Sequence, residues 1–409
     1  MRWVENGFGA GEGVVMRYGL GKGLAAGLGL MVFLASCLLI TGPARAEIVI
    51  KPLIELEGLY TTNYFQAETN EAEVVVLRIA PGIKFDVINP SSRFLLHYQL
   101  PIYIHVDAGD DIDNLDDENY VGHDARLRAF KLFGERTTIG ITDDFFLTRE
   151  SAEADEFGVP GIRERYIRNR VRPYLIYDIE ERGQIQLAYR HENIIYIEGD
   201  DPDSQEARGI LTLTYNFSPT RRLDLDLQVW YRWFEEFFSN YTSYQARLIY
   251  RHEFNEFLRG EAGFGWQFRD FDDESLDDPD EPTAHIGFTA EGAQTRANLR
   301  FERNFNDFNQ FGRYFVAWRV KAFVERWFLE DLKFHLGGAY QFGEYVNDPR
   351  EDDFWNFNAN VGYRFLNKMM TVSLGYNYNR QDSNEVGQTY DEHQIYLNLY
   401  FIYDPDETE

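Results

Sequence analysis

The chain has 409 residues, is 44% hydrophobic and 16% aromatic, and sets 40 Lys and Arg against 68 Asp and Glu, a formal net charge of −28. That charge excludes a nucleic-acid binder, whose phosphate contacts need clustered Lys and Arg. The mean hydropathy of −0.44 reads as soluble, but strands that are apolar only at alternate positions hide their apolar residues from such an average.

Taken in chain order, the first feature is the run LAAGLGLMVFLASCLL from Leu24 through Leu39. It follows Arg17 and Lys22 and precedes Ala44-Arg45-Ala46, the layout of a secretory leader cut before Glu47. Met16 opens a leader of ordinary length, so residues 1–15 are expected to be an upstream start artefact. A retained helix and a lipidated Cys37 are the competing readings; the A-x-A site opposes the first, and the apolar Leu38, Leu39 and Ile40 oppose the second. Cys37 is the only cysteine, so the mature chain is expected to lack disulfides, a thiolate metal site and a cysteine nucleophile.

After the leader, strict period two predicts strands of about ten residues, the length of a tilted membrane-spanning strand. Val75, Leu77, Ile79, Ile83, Phe85 and Val87 share one face, as do Phe94, Leu96, Tyr98, Leu100, Ile102, Ile104 and Val106 of FLLHYQLPIYIHV. The pattern continues through Ile139 and Ile141, through Leu211, Leu213 and Tyr215, and through Leu223 to Trp233 in RRLDLDLQVWYRW. Phe264, Trp266 and Phe268, then Trp318, Val320 and Ala322, then Leu374 and Tyr376, and finally Leu397, Leu399 and Phe401 complete it. Spacing gives about 18 strands, with a range of 16 to 18.

The connections alternate in length. INPSSR near 89–93, GERT at 134, EERG at 180, SPTRR at 218, EFNEF at 253, GAQTR at 292, LEDL at 329 and LNKM at 366 are short and turn-like. Between them lie long acidic stretches such as DAGDDIDNLDDEN, EGDDPDSQE and RDFDDESLDDPDE. Short turns on one side and long loops on the other are the rhythm of an up-and-down antiparallel β-barrel in an outer membrane. Lipid then covers the apolar face and water the other, and closure is required because hydrocarbon cannot satisfy an open sheet edge. The expected organisation is a leader at 1–46, a barrel at 47–403 and an acidic periplasmic tail at 404–409. Tyr60, Tyr64, Tyr231, Trp233, Tyr376 and Tyr378 are expected in the interfacial girdles.

If the apolar residues face outward, parity turns Arg78, Arg126, Arg128, Arg172, Arg190, Arg232, Arg247, Arg300, Arg319 and Lys321 inward, with fewer acids such as Glu55, Asp124, Asp144, Glu192, Asp226 and Glu302. Guanidinium groups bind carboxylates and phosphates bidentately, and rings of them favour anion passage. Pairing of these arginines with acids across strands is the alternative use of the same residues. Tyr103, Tyr174, Trp230, Phe323, Tyr396 and Tyr400 are the inward aromatics, expected to stack on sugar rings or Arg planes. No catalytic, metal or cofactor constellation is expected: G-x-S-x-G, H-E-x-x-H and phosphate-binding Gly loops do not occur, and His97 and His105 sit eight residues apart. The acidic loops either bind divalent cations beside lipopolysaccharide or stay solvated and keep barrels apart.

The hairpins YLIYDIEERGQIQLAYRHE, LTLTYNFSPTRRLDLDLQVWYRWFEEF and LIYRHEFNEFLRGEAGFGWQFRDF share one plan: a strand ending in an aromatic, a polar turn, an alternating strand and an acidic loop. This plan resembles the beta-barrel porin family of the second type, whose members resemble barrels found near exopolysaccharide-export genes. The resemblance implies a Gram-negative outer-membrane location, contact with lipid and lipopolysaccharide, and polysaccharide-related passage. It transfers no functional residue. Phe401 and Tyr403 precede a short acidic tail instead of ending the chain, so the barrel insertion machinery is expected either to tolerate the tail or to read that pair internally. Two functions follow: a channel for passage or export of hydrophilic, anionic or saccharide solutes, or a structural or docking barrel plugged by loops such as Arg149 to Arg165.

Overall fold

The computed structural model describes residues 46–108, 115–149, 163–198, 202–235, 239–307, 314–346 and 348–404. The leader and most of the acidic tail lie outside them. Eighteen antiparallel strands close into one barrel. They are β1 Glu47–Thr61, β2 Val74–Asn89, β3 Ser92–Gln99 continued as Ile102–Asp107, β4 Tyr120–Val121 continued as His123–Phe133, β5 Thr137–Thr148 and β6 Tyr166–Ile179. There follow β7 Gly183–Tyr196, β8 Ser204–Ser218, β9 Arg221–Phe234, β10 Tyr241–Glu253, β11 Leu258–Phe271 and β12 Asp280–Glu291. The last are β13 Thr295–Asp307, β14 Tyr314–Phe328, β15 Leu332–Tyr345, β16 Glu351–Phe365, β17 Met370–Ser383 and β18 Tyr390–Ile402. Each pairs with its neighbours in sequence, and β1 pairs with β18 from Leu53↔Ile402 to Thr61↔Gln394, so no edge is left open.

All eight short connections foreseen from the sequence are hairpin turns at one end of the barrel, where β1 begins and β18 ends. Glu180, Leu329 and the run Leu366, Asn367 and Lys368 take positive φ there, the backbone twist that tight hairpins require. Lys51 donates to Asp404 across the closure seam. Two strands depart from continuity. β3 breaks at Leu100–Pro101, where proline has no N–H for the ladder, and β4 breaks beside it at Gly122, whose N–H reaches the Pro101 carbonyl at 2.7 Å. The register of β2 against both halves of β3 is unbroken, so parity survives the kink.

Burial is inverted relative to a water-soluble protein. Leu187, Phe264, Leu248 and Leu397 are 50–62% exposed on the outer face, while Glu206, Arg269 and Glu392 are 0–1% exposed on the inner one. Hydrocarbon is the medium that makes such a surface stable, at about 25 cal/mol per Å² of apolar area withdrawn from water. Two hollows, of about 930 and 660 Å³, are grooves between outward side chains such as Val320, Leu336, Trp355 and Leu374; they face lipid, not solute. Asp143 breaks the pattern. It occupies an outward position on β5 between Ile141 and Phe145, is 3% exposed, and accepts a hydrogen bond from the Asn169 amide of β6 at 2.8 Å.

Candidate functional site

The inner wall divides by chemistry. Over β6–β9 it carries Arg168, Arg170, Arg172, Arg190, Arg208, Arg222 and Arg232 against Asp178, Glu192, Glu206, Asp224 and Asp226. Each central carboxylate is held by more than one guanidinium. Glu192 meets Arg168 at 3.2 Å and Arg170 at 2.6 Å. Glu206 meets Arg190 at 2.6 Å and Arg208 at 2.8 Å. Asp224 meets Arg222 at 2.6 Å and also Arg251 of β10. Charged hydrogen bonds of this kind are short and strong, and stripping one partner from a buried pair is costly.

The ten cations expected at the lumen all keep the polar parity, and the structure separates them by partner. Arg78 pairs with Glu55 at 3.0 Å, Arg126 with Asp124 at 3.0 Å, Arg128 with Asp144 at 2.7 Å and Arg247 with Asp226 at 3.1 Å. Arg190 belongs to Glu206; Arg232, almost fully buried, lies 4.0 Å from Glu192. Arg300 pairs with Glu302 at 2.7 Å, and Arg319 donates to Gln341 at 3.1 Å. Arg172 makes no hydrogen bond or ion pair with any described residue, its Nε buried without an acceptor. Lys321 stands exposed opposite Arg300 and Ala339.

At the long-loop end, inward side chains of the described residues pack against one another. Arg163, preceding β6, donates to the Tyr64 carbonyl at 2.6 Å and pairs with Glu392 of β18 at 2.9 Å. Glu392 also accepts from Thr61 at 2.7 Å and Gln394 at 2.8 Å. Tyr64 bonds His105 at 3.0 Å and packs among Val74, Val76, Tyr103, Leu115 and Tyr120. The expectation that Tyr64 joins the girdle is therefore corrected: the β1–β2 loop turns it inward. Tyr60, Tyr231 and Tyr376 do cap rim groups, with Glu73 at 2.8 Å, Asp272 at 3.0 Å and His393 at 2.7 Å. A second buried nest joins Trp230, Tyr241 and Phe271, with the Arg269 guanidinium 4.0 Å over the Tyr241 ring. Tyr103 and Trp230 are thus packing residues, the first stacked on Tyr120 and the second under Arg208. Arg149 holds Glu118 and Glu198; the segment between it and Arg163 lies outside the described residues.

Over β15–β18 the inward positions change character. Between the rims they carry amides, small residues and aromatics, and no Lys or Arg. Asn356 donates to Asn379 at 2.8 Å, Asn358 to Asn356 at 3.1 Å, and the His335 ring meets Asn358 at 2.8 Å. Asn377 donates to Gln394 at 3.2 Å and Asn360 to the Tyr396 hydroxyl at 3.1 Å. Tyr396 lies across Gly375, where a Cβ would run into its ring, and Tyr174 lies across Gly140 in the same way. Charge-centred sequence reading missed this wall. Its signal was present as Asn at every second position of NFNAN and YNYN, the parity occupied by Arg elsewhere.

The fold has counterparts among solved structures. The BenF-like porin of Pseudomonas fluorescens Pf-5 is similar with a TM-score of 0.52 at 10% identity, over 87% of this chain and 99% of that one. OccAB2 of Acinetobacter baumannii is similar with a TM-score of 0.51 at 10% identity, over 87% and 98%, and OccK2 (OpdF) of Pseudomonas aeruginosa with 0.50 at 11%, over 86% and 98%. At such identities the likeness speaks for the fold alone. No curated protein sequence matches this chain. The family model described as Putative beta-barrel porin 2 matches residues 179–402. With its closed barrel, outward apolar face and polar lumen, the chain belongs to that beta-barrel porin family and to the outer membrane of a Gram-negative cell.

Proposed function

We propose that the barrel is a channel for hydrophilic solutes, preferring anions, and not an enzyme. The observation that carries this reading is solvent access inside a closed barrel: the side chains of Arg126, Arg128 and Arg300 are 44–45% exposed. Lys321 on the same inner face is exposed as well. Barrels of this strand number are wide enough for an aqueous channel, and cations on the wall lower the barrier to anions. Arg172, with no hydrogen bond or ion pair among the described residues, and the exposed Lys321 are charges that a passing solute can engage. Lipid and lipopolysaccharide surround the wall, and the barrel insertion machinery places it.

A docking barrel closed at its outer mouth is the second reading, favoured by the fully buried Glu392 that Arg163 clasps. Planar-bilayer recording under a KCl gradient separates the two. The channel reading expects discrete open steps with a reversal potential on the anion side; a silent bilayer with verified inserted protein overturns it.

A further inference from the structure

The two walls stand opposite each other. In a closed ring of eighteen strands, β6–β9 and β15–β18 are nine strands apart, half the circumference. A solute in the lumen therefore meets guanidinium groups on one side and amides on the other. Building on the channel reading, we infer that the lumen is a two-sided binding track for acidic saccharides, chains that carry both carboxylates and many hydroxyls.

The chemistry of each side selects its half of that ligand. A primary amide has two donor hydrogens and two acceptor lone pairs. Asn358 and Asn377 spend part of this capacity within the wall and remain half-buried, so donors and acceptors remain for a partner that is itself both, as a hydroxyl is. Asn356, Asn358 and Asn360 recur at every second residue of β16, about 6.6–6.8 Å apart along the strand, and Asn377 and Asn379 run beside them on β17. This is a repeated neutral ladder along the pore, suited to a chain of repeating hydroxylated units. The Tyr396 ring laid over Gly375 adds an apolar surface for the C–H face of a sugar. Facing it, Glu192, Glu206 and Asp224 of the charged wall are each held by at least two guanidiniums, while Arg172 makes no hydrogen bond or ion pair with a described residue. A small dianion would use the charged wall alone, and a neutral sugar the amide wall alone. A uronate chain uses both.

The test is calorimetric titration of the mature barrel in detergent micelles with tetragalacturonate, maltotetraose and tetraglutamate. Wild type is expected to bind tetragalacturonate more tightly than either control. Asn358→Ala with Asn377→Ala should weaken tetragalacturonate and maltotetraose about tenfold, the loss of two or three hydrogen bonds, and leave tetraglutamate unchanged. Arg172→Gln should weaken tetragalacturonate and tetraglutamate and spare maltotetraose. Unchanged tetraglutamate binding by the amide variant also reports an intact fold. Tetraglutamate bound as tightly as tetragalacturonate, all three ligands weakened alike by either variant, or no binding of tetragalacturonate overturns the inference. KCl conductance of the same preparations keeps the two readings apart: an open channel without saccharide binding sinks the track alone, and a closed barrel that binds saccharide sinks the channel alone.

Discussion

The guanidinium wall of β6–β9 and the amide wall of β15–β18 solve the same problem, lining water with strands whose other face is in lipid, in opposite ways. On the first, Glu192, at 3% exposure, and Glu206, at 1%, are clamped by arginines from neighbouring strands, so stability and selectivity share residues. On the second, Asn356, Asn358 and Asn377 bond neutral neighbours, while Asn379 and Asn398 also reach the carboxylates of Glu392 and Glu55. The difference teaches that the charged wall is partly a structural truss, and that few of its many cations are available to a solute.

The sharpest way to break that contrast is Glu206→Ala. It leaves Arg190 and Arg208 facing each other without their carboxylate and should cost roughly 3–5 kcal/mol, measured by denaturant unfolding in micelles. Asn358→Ala on the other wall should cost no more than about 1 kcal/mol; equal losses would erase the distinction. Next in size is the outer face. Leu227→Arg puts a cation into hydrocarbon at roughly 2–4 kcal/mol near the midplane, whereas Gln228→Arg, one residue on and inward, should assemble normally, as heat-modifiable gel mobility would report. Asn169→Leu removes the hydrogen bond to the outward Asp143 and should cost about 1–3 kcal/mol; no loss would mean that the carboxylate is satisfied otherwise. The smallest stability effect is expected at Arg172→Gln and Lys321→Gln, within about 0.5 kcal/mol, yet together they should move the reversal potential toward zero.

Much of this was legible in the residues because a β-strand between lipid and water has one degree of pattern, its parity. Val320 and Lys321, or Leu227 and Gln228, declare their sides as single letters, and EERG or LNKM declare a turn. What pairs with what was not legible: Arg190 choosing Glu206, or Arg172 being left over, depends on register and side-chain reach across strands. The mouth was misjudged for the same reason. Tyr64 reads as a girdle aromatic until a loop folds it onto His105 and Tyr120, and Trp230 reads as a lumen platform until Arg208 covers it. Asp143 sits where alternation expects an apolar residue, and only its Asn169 partner on the next strand explains how it is tolerated.

The account rests on alternate side chains of one strand meeting two different solvents, and a cysteine scan of β9 from Leu223 to Val229 tests that directly. The chain from Glu47 onward has no cysteine of its own, so each single substitution reports alone. In proteoliposomes, Cys at 226 and 228 should react with a small hydrophilic thiol reagent that enters the lumen, whereas Asp224, whose carboxylate Arg222 and Arg251 clamp, is left as wild type. Cys at 223, 225, 227 and 229 should resist it and, once given a fluorophore in detergent, be quenched by a nitroxide on the lipid chains. Reactivity without period two, or lipid quenching on the even positions, would contradict the account.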